Sequence, residues 1–294
     1  MKPPSPVQAD SSDGVRRRRP TFGGVVVVGL AVMLVAGLAW KAFADRRGGA
    51  TPLRVGYAIE APYAFLDEDG RVTGEAPETA RWVARRLGRG EPEWVLTEFG
   101  SLIGQLQEGR FDVIACGLFI TTERERRVAF SRPTATVVPG LLVARGNPLG
   151  LHSYADAVAR DDVRLAVLAE SVESRALQRE GMPAGRLVMV PDEVSGVALV
   201  RSGRTAGLAL SLPAVRWMAD LPDSRDAVEV ATPFEPPART EAGGRVAFAF
   251  RRADTELRRE WDAALAEFME TEERRMIARR FGFADAAREG EVAR

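Results

Sequence analysis

The chain is 294 residues long, with 46% hydrophobic residues and 41 basic residues balanced by 41 acidic ones. That length holds one large domain or two small ones with a full core, and zero net charge leaves no global field to draw the chain to nucleic acid. A single cysteine, Cys116, and a single histidine, His152, exclude an internal disulfide and leave no cluster with metal-ligand spacing.

The chain begins with a Pro-, Ser- and charge-rich stretch, residues 1–20, that closes on the run Arg16 to Arg19 and reads as a disordered cytoplasmic segment. Residues 21–40 then form an unbroken apolar run, at about 20 residues long enough to cross a bilayer. The arginines before it hold the N-terminus in the cytoplasm, so everything after Trp40 is expected outside it. Residues 21–42 are therefore expected to be a transmembrane anchor or a signal helix. Ala42 and Ala44 flank a small-x-small cleavage site, and retention and cleavage both stay open at this point. No cysteine stands near the end of the run to take a lipid.

Beyond a short linker at residues 45–51, the pattern alternates between strand and helix. Residues 53–59 read as a first strand, Asp67 to Gly70 as a hairpin turn, and residues 78–87 as a helix with Ala80, Val83, Ala84 and Leu87 on one face. Residues 93–97 follow as a strand. Leu102, Ile103 and Leu106 repeat at helical spacing, with Gly109 as a stop. Residues 111–116 read as a buried strand holding Cys116, with Gly117 as the turn after it. Residues 137–144 are apolar and extended and break at Gly146.

A second unit begins there, with strands at 162–168, 187–190 and 207–210 and helices at 171–178 and 192–202, the latter closed by Gly203. Residues 244–250 alternate as a strand that returns the chain to the first unit. Residues 254–280 read as an amphipathic helix pair with Leu257, Trp261, Leu265, Phe268, Met276 and Ile277 inward. The β-α-β order predicts mostly parallel sheets with covering helices. Lobe one is expected over 53–143 plus 245–285 and lobe two over 147–241, joined by two crossings that form a hinge. Cys116 and His152 then fall on opposite sides of the hinge and cannot form a catalytic pair.

Residues 99–133 carry a helix, a strand, a Thr121-x-x-Arg124 turn and a Phe130-Ser131-x-Pro133 exit, in that order. This resembles the signature of the amino-acid-type (family 3) extracytoplasmic solute-binding proteins of ABC importers. Within that family, residues 55–63 and 72–78 look most like the ectoine/hydroxyectoine-binding subunits. The resemblance implies an α/β, two-lobed periplasmic-binding-protein fold of type II with a hinge, preceded here by the N-terminal helix. It also implies a small zwitterionic solute as ligand, a membrane permease as partner, no cofactor and no metal. A monomer outside the cytoplasm, attached to the membrane by its N-terminal helix or secreted, is the expected form.

The chemistry of such a ligand explains the residues. Ectoine joins a carboxylate to a delocalised amidinium in one small ring, so its site must replace water at both. By the resemblance, Arg124 holds the carboxylate through paired hydrogen bonds, and Glu60 takes the ring nitrogens. Tyr63, Phe99 and Phe119 form three aromatic walls, each contributing about 0.5–2 kcal/mol against a cation. Thr121 belongs to the Arg124 turn. Ser171 opens a helix whose free amides face the ligand, and Asp192 either approaches the ligand or caps its own helix. Two positions depart from the family pattern: Glu170-Ser171 replaces Gly-Thr, and Ser211 stands where amino-acid binders carry an aspartate for the α-ammonium. The leading expectation is a non-enzymatic solute-binding subunit. A membrane-anchored ligand sensor and a cyclic-acid dehydratase-like enzyme on the same fold are the alternatives, the enzyme requiring a general acid and base from Glu60, Glu170 or Asp192.

Overall fold

Two mixed sheets organise the chain, seen in a computed structural model that describes residues 52–237 and 244–283. The segments 1–20 and 21–42 lie outside the described residues. Among those described, no helix is long and apolar enough to cross a membrane. In chain order the strands are β1 (Arg54–Tyr57), β2 (Phe65–Leu66), β3 (Val72–Thr73), β4 (Glu93–Leu96), β5 (Val113–Phe119), β6 (Ala129–Phe130), β7 (Ala135–Thr136), β8 (Pro139–Ala144), β9 (Leu165–Leu168), β10 (Leu187–Val190), β11 (Gly207–Ser211), β12 (Val228–Val230) and β13 (Arg245–Phe250). The helices are α1 (Glu75–Arg86), α2 (Leu102–Gln107), α3 (Thr122–Glu125), α4 (Tyr154–Val158), α5 (Val172–Arg179), α6 (Glu193–Arg201), α7 (Leu212–Asp220), α8 (Thr255–Met269) and α9 (Glu272–Arg280).

The first sheet runs β4-β1-β5-β13-β6, with β7 also on β13. Its first three strands are parallel, and the returning β13 is antiparallel to β5, β6 and β7. The second sheet, β10-β9-β11-β8-β12, repeats the plan with three parallel strands and an antiparallel pair. This is the two-lobed α/β architecture that the resemblance implies. All seven residues of β5 are buried, as expected of a central strand covered on both faces. Helix α1 places Glu75 and Glu78 in its first turn and Arg85 and Arg86 in its last, in the sense that suits the helix dipole. Trp261 of α8 is wholly buried, 5.0 Å from Phe248 and 5.6 Å from Phe250, and fixes α8 to β13.

Several sequence expectations are corrected. Strand β8 pairs with β11 and β12 in the second sheet, so the outward crossing falls between β7 and β8 and not after residue 143. An apolar run carries no label for the sheet it joins; only the pairing decides. Gly117 does not end its strand but sits inside β5, at φ +70°, where the register against β13 shifts between Ala247 and Ala249. Met276 is 53% exposed, because Ile277, Ala278 and Phe281 take the inner face of the short α9. Helices α4 and α7 and strands β6, β7 and β12 had no counterpart in the sequence pattern.

The two crossings meet side by side. The Val137 amide donates to the Gly244 carbonyl at 2.9 Å, and a Cβ on Gly244, at φ +69°, would stand 1.9 Å from the Val137 oxygen. Only glycine permits that approach. Gly117 plays the matching part under the site, since a Cβ there would fall 2.1 Å from Cδ1 of Tyr63. Replacing Gly117 by Ala is expected to cost at least about 2 kcal/mol, from overpacking and a left-handed backbone together. Urea denaturation of the two proteins checks this through a lower midpoint at unchanged slope.

Candidate ligand-binding site between the lobes

Residues from both lobes converge just past the carboxyl ends of the parallel strands, where open α/β sheets bind ligands. Glu60 and Tyr63 follow β1, Phe119, Thr121 and Arg124 end or follow β5, Glu170 and Ser171 follow β9, and Ser211 ends β11. Among the described residues, polar contacts close one lobe on the other. The Tyr63 hydroxyl donates to Ser211 Oγ at 3.0 Å, and the Ala61 amide donates to Glu193 Oε1 at 2.9 Å. Arg124 Nη2 donates to the Glu170 carbonyl at 2.8 Å, and Arg175 pairs with Glu123.

Arg124 is the centre of the site. It is 4% exposed, its guanidinium lies 5.6 Å over the Phe99 ring, and its Nη1 donates to the Phe119 carbonyl at 3.0 Å. Burial lowers its pKa, with Arg175 adding to the effect. Its position follows from local sequence: Thr121 Oγ1 accepts the Arg124 amide at 3.1 Å, capping the one-turn helix α3. Thr121 thus acts on the site by holding the turn. A cavity of about 220 Å³ opens beside the guanidinium, lined among others by Phe99, Glu123, Arg124, Arg127, Glu170 and Arg175.

Of the expected site residues, Phe99 and Arg124 line this cavity, while Glu60, Tyr63, Phe119, Thr121, Ser171 and Asp192 do not. Glu60, Phe99, Phe119 and Ser171 are buried. Tyr63 is fully buried and turns its ring onto Phe283, at a centroid distance of 5.1 Å, while its hydroxyl reaches Ser211. Ser171 Oγ accepts the Ser174 amide at 3.1 Å as the cap of α5, and Asp192 Oδ1 accepts the Ser195 amide at 2.7 Å as the cap of α6. Glu170 takes a left-handed backbone, φ +59°, a conformation costly for a residue with a side chain. Its carboxylate pairs with Arg175 Nη2 at 2.8 Å and is largely exposed, so its charge is turned away from Arg124 while its carbonyl faces it.

Two further residues were not singled out by sequence. Glu173 of α5 and Glu193 of α6 are buried, and Glu173 Oε1 and Glu193 Oε2 have no hydrogen-bond partner. The only sequence signal was their place within two residues of a capping residue. Burial raises both carboxyl groups to a pKa of about 7, against partial relief from backbone amides. Glu60 is pushed well above the usual carboxylate range by burial and then by the charges of Glu173 and Glu193, against the pull of Arg124. Burial likewise raises the Cys116 thiol, and no metal-holding group of His, Cys, Asp or Glu occurs among the described residues.

A carboxyl raised from about 4.5 to about 7 on folding favours the folded state fully below pH 4.5, and that contribution is lost as pH rises through 7. Glu173→Gln is therefore expected to raise stability by up to about 3 kcal/mol at pH 8 and to change it little at pH 4. Thermal melts at the two pH values test the sign: an equal shift at both would remove the buried-charge explanation.

The sequence pattern of the bacterial extracellular solute-binding proteins, family 3, matches residues 53–284. A probable amino-acid ABC transporter periplasmic-binding protein of Sinorhizobium fredii (strain NBRC 101917 / NGR234) is 32% identical over 266 residues, covering 88% of this chain and 86% of the relative. Among solved structures, EhuB in complex with hydroxyectoine superposes with a TM-score of 0.73 at 31% identity, over 84% of this chain and 94% of EhuB. The ancestral amino acid-binding protein AncCDT-1, a precursor of cyclohexadienyl dehydratase, gives a TM-score of 0.68 at 27% identity, over 78% of this chain and 95% of its own.

Proposed function

The chain belongs to the bacterial extracellular solute-binding proteins of family 3, and from that premise we propose that it captures a small, carboxylate-bearing, amino-acid-like solute between its lobes and delivers it to an ABC permease. The observation that carries this is the buried Arg124, stacked on Phe99 and linked to both lobes, beside a cavity between them. Arg124 spends one N–H of each terminal nitrogen on a backbone carbonyl. The remaining donors match a carboxylate, and a planar guanidinium held from behind loses little freedom on binding one.

Capture proceeds in two stages. The open first lobe takes the carboxylate on Arg124 against Phe99, with Glu60 and Phe119 nearby. The second lobe then closes, bringing Glu173, Glu193 and Ser211 over the bound solute and making the Tyr63–Ser211 and Ala61–Glu193 contacts. The closed pair of lobes is the form the permease recognises. The apolar segment 21–42 keeps the chain at the outer face of the cell membrane as a monomer. The role is capture and not catalysis, since Arg124, Phe99 and the two caps Ser171 and Asp192 serve binding and geometry.

Removing the Arg124 guanidinium leaves a buried carboxylate unpaired, at a cost of about 2–5 kcal/mol. Arg124→Ala is therefore expected to weaken solute binding by at least about 30-fold. Calorimetric titration of the full chain with ectoine, hydroxyectoine, glycine betaine, proline, glutamine and arginine checks this. Unchanged affinity in the variant for whichever solute binds would overturn the assignment of Arg124.

A further inference from the structure

We propose that the solute of this cleft carries a net positive charge, with a second cationic centre held by Glu173 and Glu193 of the second lobe together with Glu60 of the first. The proposal rests on the solute-capture function above and goes beyond it in naming the charge class of the ligand and the residues that select it.

The acidic groups buried where the lobes meet outnumber the cation beside them. Glu60, Glu173 and Glu193 are 6%, 4% and 1% exposed, and Arg124 is the buried cation beside them. These groups are close enough for their charges to act on one another: Glu173 and Glu193 on Glu60, and Glu60 and Glu173 on Arg124. Asp192 adds a negative charge beside Glu193, and the Tyr63 hydroxyl is spent on Ser211. Arg175 does not offset this set, because it is already paired with Glu123 and Glu170.

Each new carboxylate also presents a free oxygen. Glu193 uses Oε1 to hold the Ala61 amide across the lobes, which leaves Oε2 buried and unpartnered, and Glu173 Oε1 is in the same state. A buried acceptor without a donor costs free energy that a bound donor returns. A neutral zwitterion would spend its carboxylate on Arg124 and its one cation on Glu60, leaving two acidic groups unmatched. A ligand with one carboxylate and two cationic centres, such as a basic amino acid, supplies donors to both of these buried oxygens. Ser211 fits the same scheme. With serine at the end of β11 bonded to Tyr63, the acceptors for an ammonium come from α5 and α6.

The test compares near-isosteric ligands that differ in charge. The full chain, in detergent micelles, is titrated with L-arginine, with its uncharged isostere L-citrulline, and with hydroxyectoine, before and after Glu173→Gln and Glu193→Gln. Arginine is expected to bind at least tenfold more tightly than citrulline, and each variant to narrow that ratio at least tenfold or abolish it. Citrulline or hydroxyectoine binding as tightly as arginine or better would overturn this inference and leave solute capture standing. Absence of binding across these three and the wider panel above would overturn both. Should either variant fail to fold by circular dichroism, the arginine-to-citrulline ratio of the parent chain still decides.

Discussion

A guanidinium buried between two lobes sets the terms for the rest of this molecule. Arg124 loses most of its hydration on burial, and the chain compensates with fixed partners: the Phe119 carbonyl, the Glu170 carbonyl and the Phe99 ring. Two of these come from the first lobe and one from the second, so the position of the charge and the closure of the lobes are one problem. An arginine paired with carbonyls keeps its full charge, which is what an anionic group of a ligand needs.

The backbone is shaped to serve that closure. Gly117 lets Tyr63 lie against β5, which brings the Tyr63 hydroxyl to Ser211 across the cleft. Gly244 lets the returning chain pass against Val137, so both crossings lie together. Glu170 accepts a left-handed conformation and thereby aims its carbonyl at Arg124 while its carboxylate goes to Arg175. The glutamate at this position therefore adds an ion pair to Arg175 within the second lobe, with its carboxylate on Arg175 and not on Arg124.

The second lobe brings two buried acids to the place where the lobes meet. In the first lobe, the Thr121-x-x-Arg124 turn after β5 holds the buried guanidinium. Helices α5 and α6 instead bring two glutamates whose buried oxygens lack donors. Capping explains their location: Ser171 and Asp192 fix the first turns of the two helices, so the residues one or two positions later project where the lobes meet. Hydration is withheld from three carboxyl groups at once, and their raised pKa values follow directly from that.

Local signals in the sequence were enough for much of this. The apolar run of β5, the capping residues Thr121, Ser171 and Asp192, the helical spacing of α2 and the Arg124 turn are all set by interactions within a few residues, so they can be read without the fold. What the sequence could not decide depends on distant partners. Strand β8 is equally apolar in either sheet, and only its pairing with β11 assigns it. Glu193 lies 132 residues from the Ala61 amide it accepts, and its approach to Glu60 exists only once both sheets present their carboxyl ends to one place. By itself the sequence determined the family, the two-lobed plan and the capped turn that carries Arg124. The tertiary structure alone decided which acids share that site, because burial and charge are properties of what surrounds a residue and not of the residue itself.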